Sequence, residues 1–391
     1  MRIALGFFAI SALYLSCKSA SVNMGESDVK LLDVSKKHES DTVIPIQNGN
    51  QEEYCIKIGG YPELGEKWEK KIFDAKAQDK LCELRFDIEK SSDQNFALCP
   101  KGYSTNPAIE VMDISKLKTK GVTRESYEDM SGYDYGCRRP QDREGKKLAK
   151  FKGTVTCSST GSIVAAYYLG RLLDIGDVPA AVIRTIRADV MQDVTNRGLK
   201  TALKSSWQGW NSILAGVGNK ELLDLNRTVD GKFVYGALSE NPRGESRYSE
   251  INMRSISSFK KTPLVQKVFS SSDFKFSKNN LQDYGLIKQI EDVGDLIVFD
   301  TILGQQDRLG NIHARPFFYY DDNGKVEKSK KAPKDKKFVQ VKRLMLKDND
   351  CGLRSDSVNI IAEKLYKNIN HMSSKTYRRL TLAGPKNSAK S

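Results

Sequence analysis

The sequence predicts an α+β chain that is exported and braced by disulfides toward its N-terminal end, on three observations. A strand, a helix and a second strand follow one another between residues 147 and 184. Four of the seven cysteines crowd between residues 55 and 137. An apolar run at the N-terminus stops at a cysteine, position 17. With 391 residues the chain is long enough for one large two-lobed domain or two smaller ones.

The elements follow in order. Met1 and Arg2 give a short positive start and residues 3–15 an almost uninterrupted apolar run, which is a secretory signal too short for a stop-transfer helix. Its end, Leu15-Ser16-Cys17, resembles a bacterial lipoprotein lipobox, in which Cys17 is acylated and becomes the mature N-terminus. Tyr14 stands where the usual lipobox prefers Leu, so an ordinary signal peptide cut nearby is the alternative. Setting Cys17 aside leaves an even set, Cys55, Cys82, Cys99, Cys137, Cys157 and Cys351. In an exported chain six cysteines allow three disulfides in ~15 pairings. The absence of Cys-x-x-Cys spacing, with only three His, argues against structural zinc. Residues 18–50 are polar and read as a flexible tether. Residues 51–140 read as a β-rich, disulfide-tied region with apolar runs at 96–98 and 109–112.

Residues 147–152 form a strand that leads through a Gly, Ser and Thr cluster into a helix over 163–174, capped by Ser159 or Thr160. Residues 178–184 make the next strand. Residues 189–230 are helical and amphipathic, with Trp207 and Trp210 as packing anchors, and 232–238 are a strand. A Ser-rich linker at 255–275 precedes a buried helix with apolar residues at 286, 290, 293, 297 and 302. Strands at 315–320 and 338–342 flank the turn Asp321-Asp-Asn-Gly324, separated further by a Lys-rich segment. A last helix covers 358–369, and a polar tail follows Gly384.

The formal charge of +14 is compatible with an anionic partner or with solubility alone. Export and the lack of any module interleaving basic and aromatic residues argue against nucleic acid. The runs at 328–331 and 334–337 sit around a Pro-containing turn and read as a solvated loop.

The chemistry is concentrated between residues 300 and 352. Asp307-Arg308 is followed by Asn311 and, after a returning strand, by Asp348-Asn349-Asp350. An acid beside an Arg, a carboxamide shortly after and a second acid behind a strand form the layout of a phosphoryl-transfer site. Asp307 would orient a substrate hydroxyl, while Asn311 and Asp348 would hold a divalent ion on a triphosphate. A buried ion-pair network of these acids with Arg308 is the structural alternative. Arg308 is equally open to bracing the loop, and Asp350 to a second metal contact or a solvated turn. His313 reads as a loop or core residue, and Ser158 and Ser159 as helix-capping residues rather than nucleophiles.

Three segments resemble a family, the atypical kinases that include secretory-pathway Golgi casein kinases, spore-coat kinases, HipA-type kinases and type II phosphatidylinositol 4-kinases. Phe151-Lys152 resembles the nucleotide-binding strand, residues 165–179 the helix after it with its Val-Pro exit, and Gln306-Asp307-Arg308 through Asp348-Asn349 the catalytic loop and metal-binding acid. The resemblance implies a two-lobed kinase-like domain over 141–384, with Asp307 and Arg308 catalytic, Lys152 on nucleotide, and Asn311, Asp348 and Asp350 on metal. It implies ATP with Mg or Mn, and a protein or small-molecule hydroxyl as acceptor. Residues 1–17, 18–50, 51–140 and 385–391 are then signal, tether, disulfide-rich extension and tail of a membrane-anchored envelope protein, on the periplasmic or surface side. Two features depart from the family. Asn311 follows Asp307 by four residues where relatives use five, and no acid lies between Lys152 and Asp174, the family's helix acid falling at Ile163. Glu240 or Glu245 would have to substitute, or the chain is an inactive pseudokinase serving as a binding scaffold.

Overall fold

Short runs rich in β-branched and aromatic residues, broken by Gly, Pro and Asn, set most of the chain into strands. The computed structural model describes residues 31–32, 42–48, 51–57, 75–86, 95–102, 106–139, 142–155, 158–201, 207–213, 227–228, 231–251, 255–270, 281–308, 311–353 and 372–383. They fall into two units. The first comprises Met1–Lys57, Cys82–Thr160 and Ile183–Leu238, the second Ile58–Leu81, Gly161–Val182 and Ser239–Ser391.

The first unit is built on a sheet with nine strands among the described residues: β1 (Leu31–Leu32), β2 (Thr42–Asn48), β3 (Gln51–Lys57), β4 (Phe96–Pro100), β5 (Ile109–Asp113), β6 (Lys146–Lys152), β7 (Ala181–Arg187), β8 (Arg227–Thr228) and β9 (Phe233–Glu240). Their order is β2-β3-β7-β9-β6-β5-β4, with β8 beside β9 and β1 beside β8. The pairs β2 with β3, β3 with β7, β4 with β5 and β5 with β6 are antiparallel. Gly236 in β9 is required by this packing, since a Cβ there would lie 2.5 Å from the Lys152 carbonyl oxygen and 2.6 Å from the Phe151 ring. Interleaved with these strands along the chain are helices α1 (Ala75–Cys82), α2 (Arg124–Glu128), α3 (Thr160–Leu173) and α4 (Ala188–Thr201); α2 and α4 lie in this unit, whereas α1 up to Leu81 and α3 from Gly161 belong to the second. Side chains from α2 and α4 satisfy the backbone of β4: Leu98 N donates to Glu128 Oε1 at 2.6 Å, and Arg197 Nη1 donates to Leu98 O at 2.7 Å. An open strand edge is thereby closed.

Two disulfides tie this unit. Cys55–Cys82 joins β3 to the end of α1, and Cys99–Cys137 joins β4 to the turn after α2. Disulfides fit a chain that folds outside the cytoplasm. Cys351 is buried in the second unit, and Cys157 and Cys17 lie outside the described residues. Among the described residues no helix is long and apolar enough to cross a membrane.

The second unit carries α5 (Ile256–Lys260), α6 (Pro263–Ser270), α7 (Leu281–Leu303) and α8 (Ser374–Ala383) with β10 (Ser246–Arg247), β11 (His313–Asp322), β12 (Lys325–Ser329) and β13 (Phe338–Met345). Strand β11 is the hub, pairing antiparallel with β10, β12 and β13. Its core gathers Leu173 from α3, Ile290, Val293, Leu296, Phe299 and Leu303 from α7, and Ala314 and Leu344 from the sheet.

Several expectations change. Residues 42–48, placed in the polar tether, are β2, because their alternating Val43, Ile44 and Ile46 pair along all of β3. The region expected as a separate N-terminal extension supplies β3, β4 and β5 to the same sheet as β6 and β9. The linker at 255–275 contains α5 and α6, whose Ile256, Phe259, Val265 and Val268 are buried. The Lys-rich segment opens as β12, joined to β11 through Asn323 and Gly324, both at positive φ as a two-residue hairpin requires. Trp210 is fully buried against Gly198, whereas Trp207 is 53% exposed and anchors nothing in the core. Ile302 is 48% exposed, because the buried face of α7 runs through 296, 299 and 303 instead. The expected helix at 358–369 and the tail lie outside the described residues.

Candidate active site

Helix α7 delivers the chain to Asp307. Gly304 ends it in the left-handed region at φ +63, and Gln305 N returns to Asp300 O at 3.0 Å, the closing bond of a Schellman turn. The next residues are stitched to the segment after β13. Gln305 Nε2 donates to Asp348 O at 2.8 Å, Gln306 N to Cys351 O at 3.1 Å, and Leu353 N to Leu303 O at 2.7 Å. Two stretches separated by about forty residues thus become one double loop within the second unit.

Arg308 is its centre. It is 1% exposed, and its Nε reaches both oxygens of buried Asp300 at 3.1 Å. Nη1 donates to Lys347 O at 2.7 Å, and Nη2 to Asn349 Oδ1. Burial raises the Asp300 carboxyl to about 6, with Arg308 pulling against that rise. Arg308 therefore braces the loop, the second of the two roles open to it.

Asp307 is exposed beside this brace. Asn311 Nδ2 donates to Asp307 Oδ2 and to Asp307 O, each at 3.1 Å, and Asn311 N closes back on Arg308 O at 2.8 Å. The four-residue spacing thus suffices to seat the carboxamide on the acid. Asp348 takes φ +53, an uncommon conformation for a residue other than Gly that recurs at functional sites. Asn349 Nδ2 donates to Leu346 O at 2.8 Å. Asp350 is 4% exposed, which removes its reading as a solvated turn residue. Lys152 is buried at the end of β6 in the first unit.

At Ile163, where an acid was missing, the adjoining Ser162 has a different task. Its Oγ donates to Asn349 O at 2.5 Å and accepts Gly352 N at 3.0 Å, so α3 buttresses the acidic loop through a hydroxyl. Gly352 is needed there, because a Cβ would stand 2.7 Å from Ser162 Oγ and 2.8 Å from Leu303 O.

Strand register brings in His313, read from the sequence as a loop or core residue, and Glu245, one of the two substitute acids. His313 opens β11, opposite Arg247 of β10 and Met345 of β13. Two residues beyond those partners lie Glu245 and Lys347, which converge on His313. Glu245 Oε1 is 2.8 Å from His313 Nδ1, and Glu245 Oε2 pairs with Lys347 Nζ. Burial alone would raise Glu245, but the hydrogen bonds from His313 and Lys347 outweigh it and hold the carboxyl at about 2. His313 Nε2 is buried without a hydrogen-bond partner and lies 3.7 Å from Asp348 Oδ2. Of the two substitute acids considered, Glu245 is the one in this cluster.

Among the described residues no group of three or more His, Cys, Asp or Glu side chains is gathered as a ready metal cage. A carboxylate next to an orphaned imidazole nitrogen is nevertheless a donor set that suits a divalent ion. The chain matches no protein-family model and no curated protein.

Proposed function

We propose that this chain is an exported, two-lobed kinase-like protein that binds ATP with a divalent metal and transfers phosphate to a hydroxyl of a protein or small molecule. The observation that carries the reading is Arg308, whose bonds to Asp300, Lys347 and Asn349 lock the Asp307 loop to the Asp348 loop. Asp307, exposed and oriented by Asn311, is the group available to receive or orient an acceptor hydroxyl. Asp348 would hold Mg or Mn, with Asp350 two residues on and Asn311, seated on Asp307, as the further ligands of this reading; the ion would supply neutralisation of triphosphate charge. Lipid anchoring through Cys17 belongs to the same reading, since it would keep an exported enzyme at the envelope.

One observation favours a second reading, a pseudokinase scaffold. Helix α3 carries no acidic residue, and its Ser162 is committed to bracing Asn349 and Gly352.

Nucleotide affinity with and without Mg²⁺ or Mn²⁺, measured together with transfer to a generic protein acceptor, separates the readings. Asp348→Asn, chosen because Asn tolerates positive φ, should lower metal-dependent nucleotide affinity at least about 100-fold. Asp307→Ala should leave affinity within about threefold and reduce transfer by roughly 10²–10⁴. Binding without turnover in the native chain selects the scaffold, and no binding under any metal condition removes the kinase-like reading.

A further inference from the structure

We infer that His313 is a metal ligand: its Nε2 coordinates, together with Asp348 Oδ2, the divalent cation of the proposed site, and Glu245 is the carboxylate that orients the ring. The inference deepens the proposed function and rests on its reading of Asp348 as a metal-binding acid. It adds a nitrogen donor to a site otherwise composed of oxygen donors, and with it a preference for Mn²⁺ or another first-row transition ion over Mg²⁺.

The arrangement is built by the sheet. Because β11 pairs with β10 on one side and β13 on the other, His313 is flanked by the residues leaving both strands. Glu245 Oε1 accepts a hydrogen bond from His313 Nδ1 at 2.8 Å, and in the neutral ring that tautomer carries its lone pair on Nε2. A carboxylate on the far nitrogen of a metal-bound imidazole is the usual way proteins fix that tautomer and raise ring basicity. Glu245 is itself fixed, since its other oxygen is held by Lys347.

The far side of the ring faces a second donor. Nε2 is shut away from solvent and has no hydrogen-bond partner, although a carboxylate oxygen stands 3.7 Å away. That distance is too long for a hydrogen bond, which would close to about 2.7–3.2 Å. Without a proton between them, an imidazole lone pair and a carboxylate oxygen repel. Two atoms that each bind one ion at about 2.0–2.2 Å stand roughly 3–3.5 Å apart, so a shift of a few tenths of an ångström would seat a cation between them.

Mn²⁺ titration of the full chain without nucleotide, followed by electron paramagnetic resonance, tests the inference. The native protein should bind Mn²⁺ and show a nitrogen hyperfine coupling that changes on ¹⁵N-histidine labelling. His313→Gln should abolish that coupling and weaken Mn²⁺ by about 10–100-fold while changing Mg²⁺ affinity by less than about threefold; Glu245→Gln should weaken Mn²⁺ by about tenfold or more. Mn²⁺ binding without nitrogen coupling, or a coupling that survives in His313→Gln, overturns it. If Asp348→Asn still loses Mn²⁺ in that case, the reading of Asp348 stands alone. Absence of Mn²⁺ binding to the native chain, with or without ATP, sinks both. Should His313→Gln fail to fold, the labelled native spectrum decides on its own.

Discussion

At the scale of single residues, Arg308 concentrates most of what holds the candidate site together. Removing one member of a buried pair costs more than the pair contributes, because the remaining charge is left without compensation. Arg308→Ala should therefore destabilise the chain by about 3–5 kcal/mol near neutral pH. The loss should depend on pH. Burial already lifts Asp300 in the folded state to about 6 from a usual 3.8, and removing Arg308 lifts it further. An acid raised by folding favours the folded state when protonated, and that advantage fades as pH climbs through its folded value. The penalty of Arg308→Ala should accordingly be smaller at pH 5 than at pH 8, read from urea unfolding midpoints, and an equal penalty at both would remove Asp300 as its source. Asp307, Arg308 and Asn311, and likewise Asp348 with its neighbours, stood out in the sequence because each set of polar side chains lies at short spacing. Glu245 was one of two acids the sequence offered and His313 read as a loop or core residue; that these two meet, and that Ser162 braces the loop, was not legible, because they arrive only through strand register and a helix from far along the chain.

At the scale of elements, α7 carries three buried acids, Asp292, Asp295 and Asp300, along an otherwise apolar face. Its apolar spacing announced a buried helix, but hydrophobic periodicity has no means of showing which acids will be enclosed with it. Asp292 is met by Arg343 at 2.9 Å and by Tyr248 at 3.0 Å. Asp295 accepts a hydrogen bond from Thr376 Oγ1 at 2.6 Å, and burial raises it to about 6, with Glu291 and Asp292 adding repulsion. Asp295→Asn keeps an oxygen for Thr376 and removes the buried charge. Above pH 6 the native carboxylate is ionised at a cost of up to about 3 kcal/mol, taking 1.36 kcal/mol for each of roughly two pH units. The substitution should thus stabilise the chain by about 1–3 kcal/mol at pH 8 and by almost nothing at pH 2.5, below the ordinary value of 3.8, where the carboxyl is protonated in both the folded and the unfolded state. Thermal unfolding across that range checks it, and a gain that persists at pH 2.5 would point to packing instead of charge. The misread elements have a shared cause. β2, α5, α6 and β12 are short, and their order comes from neighbours: β3 for β2, the α7 core for α5 and α6, and β11 for β12.

At the scale of the whole chain, the cysteine set was the clearest signal, since crowding between 55 and 137 marked the stapled region and both described bridges lie there. Pairing was not legible, because which cysteines meet depends on sheet order. Four of seven cysteines are bonded in these bridges, so thiol titration of the denatured, unreduced chain should find at most 7 − 4 = 3 reactive groups. The two loops closed, with sequence separations of 27 and 38, predict an unfolded-state entropy effect of about 3–4 kcal/mol each. Each bridge joins two segments of the first unit, and none described lies in the second. Reduction should therefore act unevenly. Hydrogen exchange after mild reduction should accelerate first in β3, β4 and the turn containing Cys137, whereas α7, β11 and β13, held by the apolar cluster around Phe299 and Leu344, should retain protection. The proposed metal binding should survive the same treatment, because Asp348, His313, Glu245 and Arg308 all belong to the second unit. Loss of protection in α7 and β13 in step with β4 would show that the two units unfold as one cooperative body, and that the disulfides support the candidate site as well as the sheet.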